Sequence, residues 1–299
     1  MAIASLTAVD CSVLRRHPNE KWLLAVALVS AVPAVAFANP IVAGFDSTTY
    51  AGNDDGSYPT SGPDSGTPPG TPVAQSLGFA FNFYGTTYSD PFINNNGNLT
   101  FGTYYSTFTP TALTDSGVPP ILAPFFADVD TRTGNLVTFG TGVFDGHAAF
   151  GTNWPGVGYY SEQTDKTNNF QVLIVDRSDI AAGDADIYFN YGDMLWETGG
   201  ASGGQNGFGG SCAHVGYSNG TGDAGTHYEL TGSGVCGALI DGGINALSSN
   251  TNDGVTGQYL FQVRGGVIAP PDNGVPEPLT LSLFATGLAG LGFARRKRA

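Results

Sequence analysis

The chain has 299 residues, 41% of them hydrophobic and 12% aromatic, which is enough apolar material for a packed core and excludes a disordered polymer. Its formal net charge is −14, and between Asn39 and Gly274 only four bases stand against 22 acids, a net of −18 that repels phosphate backbones and excludes nucleic acid as a partner. The 44 glycines follow no three-residue period, which excludes collagen and points to tight turns between short strands.

Taken in chain order, Arg15, Arg16 and Lys21 form a basic region ahead of the apolar run "WLLAVALVSAVPAVAFA". Ala36-Phe37-Ala38 then supplies a small-x-small site, so residues 1–38 are expected to be a signal peptide that signal peptidase cuts between Ala38 and Asn39. Cys11 leaves with the leader. Cys212 and Cys236 remain, an even count in an oxidising compartment, and predict one disulfide.

Residues 39–268 read as one β domain. Its segment from Asn53 to Pro72, "NDDGSYPTSGPDSGTPPGTP", reads as turn and loop, too polar and too rich in Pro and Gly to bury anything. Phe79, Phe81 and Phe83 alternate with smaller or polar residues, the period of a strand with one buried face. Asn96-Gly97 supplies the positive φ angles of a hairpin turn between two β-prone arms. Further strands are expected at "ILAPFFADV", "NLVTFG", "HAAFGTNW", "VGYYS", "NFQVLIVDR", "DADIYFNY", "CAHVGYSN", "THYELT" and "QYLFQVR". Ten or more short strands with no crossover helix predict an all-β, antiparallel, sandwich-like architecture.

Seven pieces carry a family resemblance in their order along the chain: "NDDGS", "LGFAFNFYGTTYSDPFINNNGNLTFG", "ILAPFFADVDTR", "TNWPGVGYY", "NFQVLIVDR", "DADIYFNYGDMLWETGGASGG" and "AHVGYSNG". Together they resemble the nidogen-like (NIDO) domain from about Phe45 to Thr231. The resemblance implies a secreted adhesion or matrix setting, as in animal extracellular matrices and bacterial surface proteins, and no enzyme activity.

Two Asp-x-Asp pairs are the candidate ligand sets. Asp128 and Asp130 flank Val129 and share one face if the strand continues that far, and Asp184 and Asp186 repeat the spacing. Two such pairs could offer hard oxygens to calcium, the single cofactor the residues suggest, or be solvated strand ends. Trp154, Tyr159, Tyr160, Tyr191 and Trp196 are open to two readings, a sugar-binding platform or core. His147, His214 and His227 are isolated, and no Gly-x-Ser-x-Gly or zinc spacing is present, so no catalytic residue is assigned.

Residues 269–275 form a linker to the tail. There Pro276-Glu277-Pro278 precedes an apolar run from Leu279 to Ala294, and Arg295, Arg296, Lys297 and Arg298 close the chain. A helix of about 16 residues is roughly 24 Å long and barely covers a bilayer core, while the terminal bases favour the cytoplasmic side. The three parts resemble the PEP-CTERM sorting signal of Gram-negative bacteria. That resemblance implies recognition and removal of the tail by the intramembrane protease exosortase, after transient insertion in the inner membrane. The expected function is thus an exported, non-enzymatic surface or biofilm-matrix protein with polysaccharide or matrix proteins as partners. The alternatives are a carbohydrate- or calcium-binding extracellular module and, third, a secreted hydrolase.

Overall fold

The computed structural model describes residues 40–57 and 72–269. The expected leader with its Ala38–Asn39 cleavage site, the linker beyond residue 269, the sorting motif Pro276-Glu277-Pro278 and the basic cluster Arg295 to Arg298 all lie outside the described residues. Among the described residues, no helix is long and apolar enough to cross a membrane.

The first strands are β1 (Thr48–Thr49), β2 (Phe81–Phe83), β3 (Thr86–Tyr88), β4 (Pro91–Asn94), β5 (Asn98–Phe101), β6 (Ile121–Phe126), β7 (Val129–Asp130) and β8 (Thr138–Phe144). They are followed by β9 (His147–Tyr159), β10 (Gln163–Asp176), β11 (Ala185–Met194), β12 (His214–Ser218), β13 (His227–Glu229), β14 (Gln258–Arg264) and β15 (Val267–Ile268). One sheet has the order β1-β8-β9-β10-β11-β14-β15, with β7 also pairing β9, and a second has the order β13-β12-β6-β5-β4. A small hairpin joins β2 to β3, and every pairing is antiparallel. The expected all-β antiparallel architecture is what the described residues adopt.

The two large sheets face each other across an aromatic core. Phe125 of β6 meets Phe170 of β10 at 5.5 Å between ring centroids, Trp154 of β9 stacks on Phe170 at 4.9 Å, and Tyr217 of β12 meets Phe261 of β14 edge-on at 5.4 Å. The Tyr191 hydroxyl donates to the Pro124 carbonyl (2.7 Å), a polar link across the same interface.

β6 and the later part of β10, from Phe170 to Val175, are buried on both faces. In β10, Val172 and Ile174 enter the main core while Leu173 and Val175 pack outward against Phe45 and Ala149. In β6, Leu122 and Phe125 point inward while Ile121, Ala123 and Phe126 pack against Leu113 and Val118. Covered outer faces explain why "NFQVLIVDR" and "ILAPFF" read as nearly continuous apolar runs.

Three expectations need correction. "HAAFGTNW" and "VGYYS" belong to one 13-residue strand, β9, that runs through Pro155. Proline is tolerated there because the β8 ladder ends at Asn153 and β7 joins only at Gly158, so the missing N–H falls where that side is unpaired. "ILAPFFADV" breaks after Phe126, leaving Asp128 between β6 and β7, so the Asp128–Asp130 pair does not lie on one continuous strand. The segment "NDDGS" is not solvated loop: Asn53, Asp54, Asp55 and Ser57 are buried.

Cys212 and Cys236 form the expected disulfide, with α-carbons 5.3 Å apart across 24 positions. It ties the start of β12 to the turns after β13, at the edge of the smaller sheet. Closing a loop of this length contributes about 3 kcal/mol by limiting the unfolded chain. Cys236→Ser should lower urea-unfolding stability by about that amount, and an unchanged unfolding midpoint would show that the β12–β13 edge stands without its covalent tie.

Candidate functional site

The site is assembled by the three-residue turn between β4 and β5. Asn94 pairs with Asn98, and Asn95-Asn96-Gly97 closes the hairpin. Gly97 has φ +74°, and a Cβ there would lie 1.8 Å from the Phe125 carbonyl oxygen, so both conformation and packing require glycine.

The side chains of this turn face inward and hold two other segments. Asn95 Nδ2 donates to the carbonyls of Asp54 (2.5 Å) and Val129 (2.6 Å). Thr131 Oγ1 lies 2.9 Å from both Asn95 Oδ1 and the Asn53 carbonyl, and accepts the Asn53 N–H at 3.1 Å. Asn96 Oδ1 accepts the Val129 N–H (2.9 Å) while its Nδ2 donates to Asp55 Oδ1 (3.1 Å). Trp154 Nε1 donates to the Asn95 carbonyl (2.9 Å), anchoring the turn to the larger sheet.

This scaffold collects four carboxylates. Oxygens of Asp54, Asp55 and Asp128 lie within 4.8 Å of one another, and all three residues are buried. Asp130 is bound by Arg132, through Nε at 3.0 and 3.3 Å and Nη2 at 2.6 Å, and also accepts the N–H groups of Arg132 (3.0 Å) and Glu162 (2.7 Å). Arg132 Nη2 also reaches Asp54 Oδ2 at 3.3 Å. Ser202, in a short 3₁₀ turn Gly200–Ser202, donates to Asp128 Oδ2 (3.3 Å).

Crowding of like charges in a buried site has the expected consequence. Burial, then the charges of Asp130 and Asp55, push the Asp54 carboxyl up to about 8 despite the opposing Arg132. Burial and the charge of Asp55 push Asp128 up to about 7, with the Ser202 hydrogen bonds pulling the other way. Among the described residues, Asp54, Asp55 and Asp128 form an all-oxygen group that could hold a metal.

The two Asp-x-Asp pairs are not brought into one set. Asp186 is gripped by Arg177 Nη1 (2.6 Å) and Arg264 Nη2 (2.5 Å), and Asp184 accepts the Gly265 N–H (2.7 Å). Asp54 and Asp55 were invisible as partners for Asp128, because their segment reads as loop and the contact spans more than 70 positions. The asparagine-rich turn facing two acidic segments was the signal available. The aromatic alternatives resolve toward core: Trp154, Tyr159, Tyr191 and Trp196 are buried, and Tyr160 lies beneath the Arg132 guanidinium at 5.5 Å. His214 Nδ1 lies 2.7 Å from Glu229 Oε1, pairing β12 with β13.

Asn95→Ala would leave the buried carbonyls of Asp54 and Val129 without their Asn95 donor. The expected loss is about 3 kcal/mol in urea unfolding, against a change within about 0.5 kcal/mol for Thr111→Ala at an exposed position. Equal effects of the two variants would contradict the anchoring role of the turn.

The nidogen-like domain model (NIDO) matches this chain over residues 89–141 and 138–265. Alpha-tectorin of Homo sapiens is 28% identical over 212 residues, covering 63% of this chain and 9% of the relative. Alpha-tectorin of Gallus gallus is 27% identical over 219 residues, 65% and 10% respectively, and nidogen of Drosophila melanogaster is 28% identical over 210 residues, 61% and 14%. The chain thus spans about a tenth of the length of these relatives. No solved structure matches. The chain belongs to the nidogen-like domain family.

Proposed function

We propose that this nidogen-like chain is an exported, non-enzymatic and adhesive protein of a Gram-negative cell surface or extracellular matrix, released from a transient inner-membrane tail by exosortase. The family match across residues 89–265 carries this reading, because the family's setting in matrix and surface proteins supplies the extracellular context. The disulfide belongs to an oxidising compartment, and the leader-like start and the Pro-Glu-Pro, apolar and basic order of the tail agree with it.

Two features weigh against the carbohydrate-binding and hydrolase readings. The aromatic residues that could have formed a sugar platform are core residues, with Trp154 and Trp196 fully buried. The two carboxyls with raised proton affinity, Asp54 and Asp128, are each only 1% exposed and hence closed to a glycoside substrate.

Intact mass of the mature protein from its producing cells, measured with and without the exosortase, tests the proposal. The expected product begins at Asn39, lacks the stretch through Arg295 to Arg298, and carries the Cys212–Cys236 bond; without the protease the basic end is retained. A mature form ending at Ala299 in both strains would overturn the sorting role.

A further inference from the structure

We infer that Asp54, Asp55 and Asp128 bind one calcium ion, which fastens the buried segment at residues 53–57 to the break between β6 and β7. The inference rests on the geometry of the site and is independent of how the protein is exported.

The first observation is spacing. A calcium ion sits 2.3–2.6 Å from its oxygen ligands, so oxygens on opposite sides of one ion are separated by about 5 Å at most. One oxygen from each of the three carboxylates lies within 4.8 Å of the others, and two segments more than 70 positions apart deliver them.

The second observation is the pair of oxygens without partners. Asp54 Oδ2 faces Arg132 and Asp128 Oδ2 accepts Ser202, yet Asp54 Oδ1 and Asp128 Oδ1 are buried with no hydrogen-bond partner. A buried unpaired carboxylate oxygen is costly, and two at one place amount to a shared demand for a cation or protons. Arg132 cannot meet it, because its guanidinium is spent mainly on Asp130. A single proton between two carboxyls would neutralise one charge of three and leave Asp55 beside the remaining one, whereas a divalent ion serves all three.

The donor set decides the kind of ion. It contains only hard carboxylate oxygens, which suit calcium or magnesium over zinc or copper. Magnesium demands near-ideal octahedral geometry and keeps several waters, which suits a buried group of carboxylates less well than the flexible shell of calcium. The second acidic group with sulfur, Glu197 with Cys212 and Cys236, offers no thiolate because its cysteines are joined.

Holding the site together does not itself need the ion. The amides of Asn95 and Asn96 already fix the backbone, so the protein is expected to fold with chelator present and to gain stability when calcium is added. The test uses the full chain treated with EDTA and dialysed, then titrated with calcium chloride by calorimetry and followed by thermal melting. The expected result is one calcium per chain and a Tm rise of roughly 5–10 °C at a hundredfold excess over Kd.

Asp128→Asn keeps the shape and removes a charge. It should melt at or above the wild-type temperature in EDTA and lose most of the calcium-dependent rise, while Asp90→Asn, an exposed control, keeps the full rise. Absence of stoichiometric binding at millimolar calcium would overturn the inference in favour of carboxyls sharing protons. An undiminished calcium response in Asp128→Asn would overturn it equally, by locating the ion elsewhere, and the stability of that variant in EDTA guards against mistaking misfolding for lost binding.

Discussion

The amides of Asn95 and Asn96 are the constraint on which the rest of this end of the molecule depends. Between them they bind the backbone of two segments remote in sequence, residues 53–57 and 127–131, and they are themselves held by Gly97 and the Trp154 indole. Hydrogen bonds of this kind contribute only about 1 kcal/mol each when made, but each buried group left unpaired costs about 1–3 kcal/mol. A network of this sort therefore selects one arrangement sharply even where its net contribution is small. Its neutral donors are what allow charged neighbours to be gathered so closely.

That gathering runs against the usual rule that acids stay in water. The apolar core of the two sheets pins the turn from one side, through Phe125, Phe170 and Trp154. The 3₁₀ turn at Gly200–Ser202 closes the other side, where a Cβ on Gly199 would lie 2.3 Å from Asp128 Oδ2. Asp128 is accordingly buried, with Ser202 on its Oδ2. A site so enclosed spends folding energy on an electrostatic arrangement, and such expense is characteristic of ligand sites.

Much of the sandwich was legible because apolar periodicity reports directly which faces are buried. The alternation at Phe81 and Phe83, the continuous runs of β6 and β10, and the glycine-closed hairpin at Asn96-Gly97 all carry their partners' imprint locally. The disulfide was legible by counting once Cys11 was assigned to the leader. The acidic site was not legible, because polar burial has no local signature: the Asp54 carbonyl is held by Asn95, 41 positions away. The pairs Asp128–Asp130 and Asp184–Asp186 share one spacing yet differ in fate. Arg177 and Arg264 stand beside Asp186 and absorb its charge, while Asp128 meets further carboxylates. Pro155 shows the complementary limit, since a residue that normally ends a strand is harmless where the neighbouring ladder has already stopped.

The charge of the body takes on a different meaning once its bases are located. Arg132, Arg177, Arg264 and Lys166 each pair with an aspartate of this chain, three of them with Asp54, Asp130 or Asp186 at buried positions. None of the four is left to offset the remaining acids on the surface, so the field around the folded body is negative with little relief. Such a field discourages close approach to anionic lipid and nucleic acid, and raises the local concentration of divalent cations within a Debye length of the surface. The arginines that neutralise the buried Asp130 and Asp186 are thereby withdrawn from the surface, so the ion pairs inside the protein and the negative field outside it are consequences of one allocation of charge.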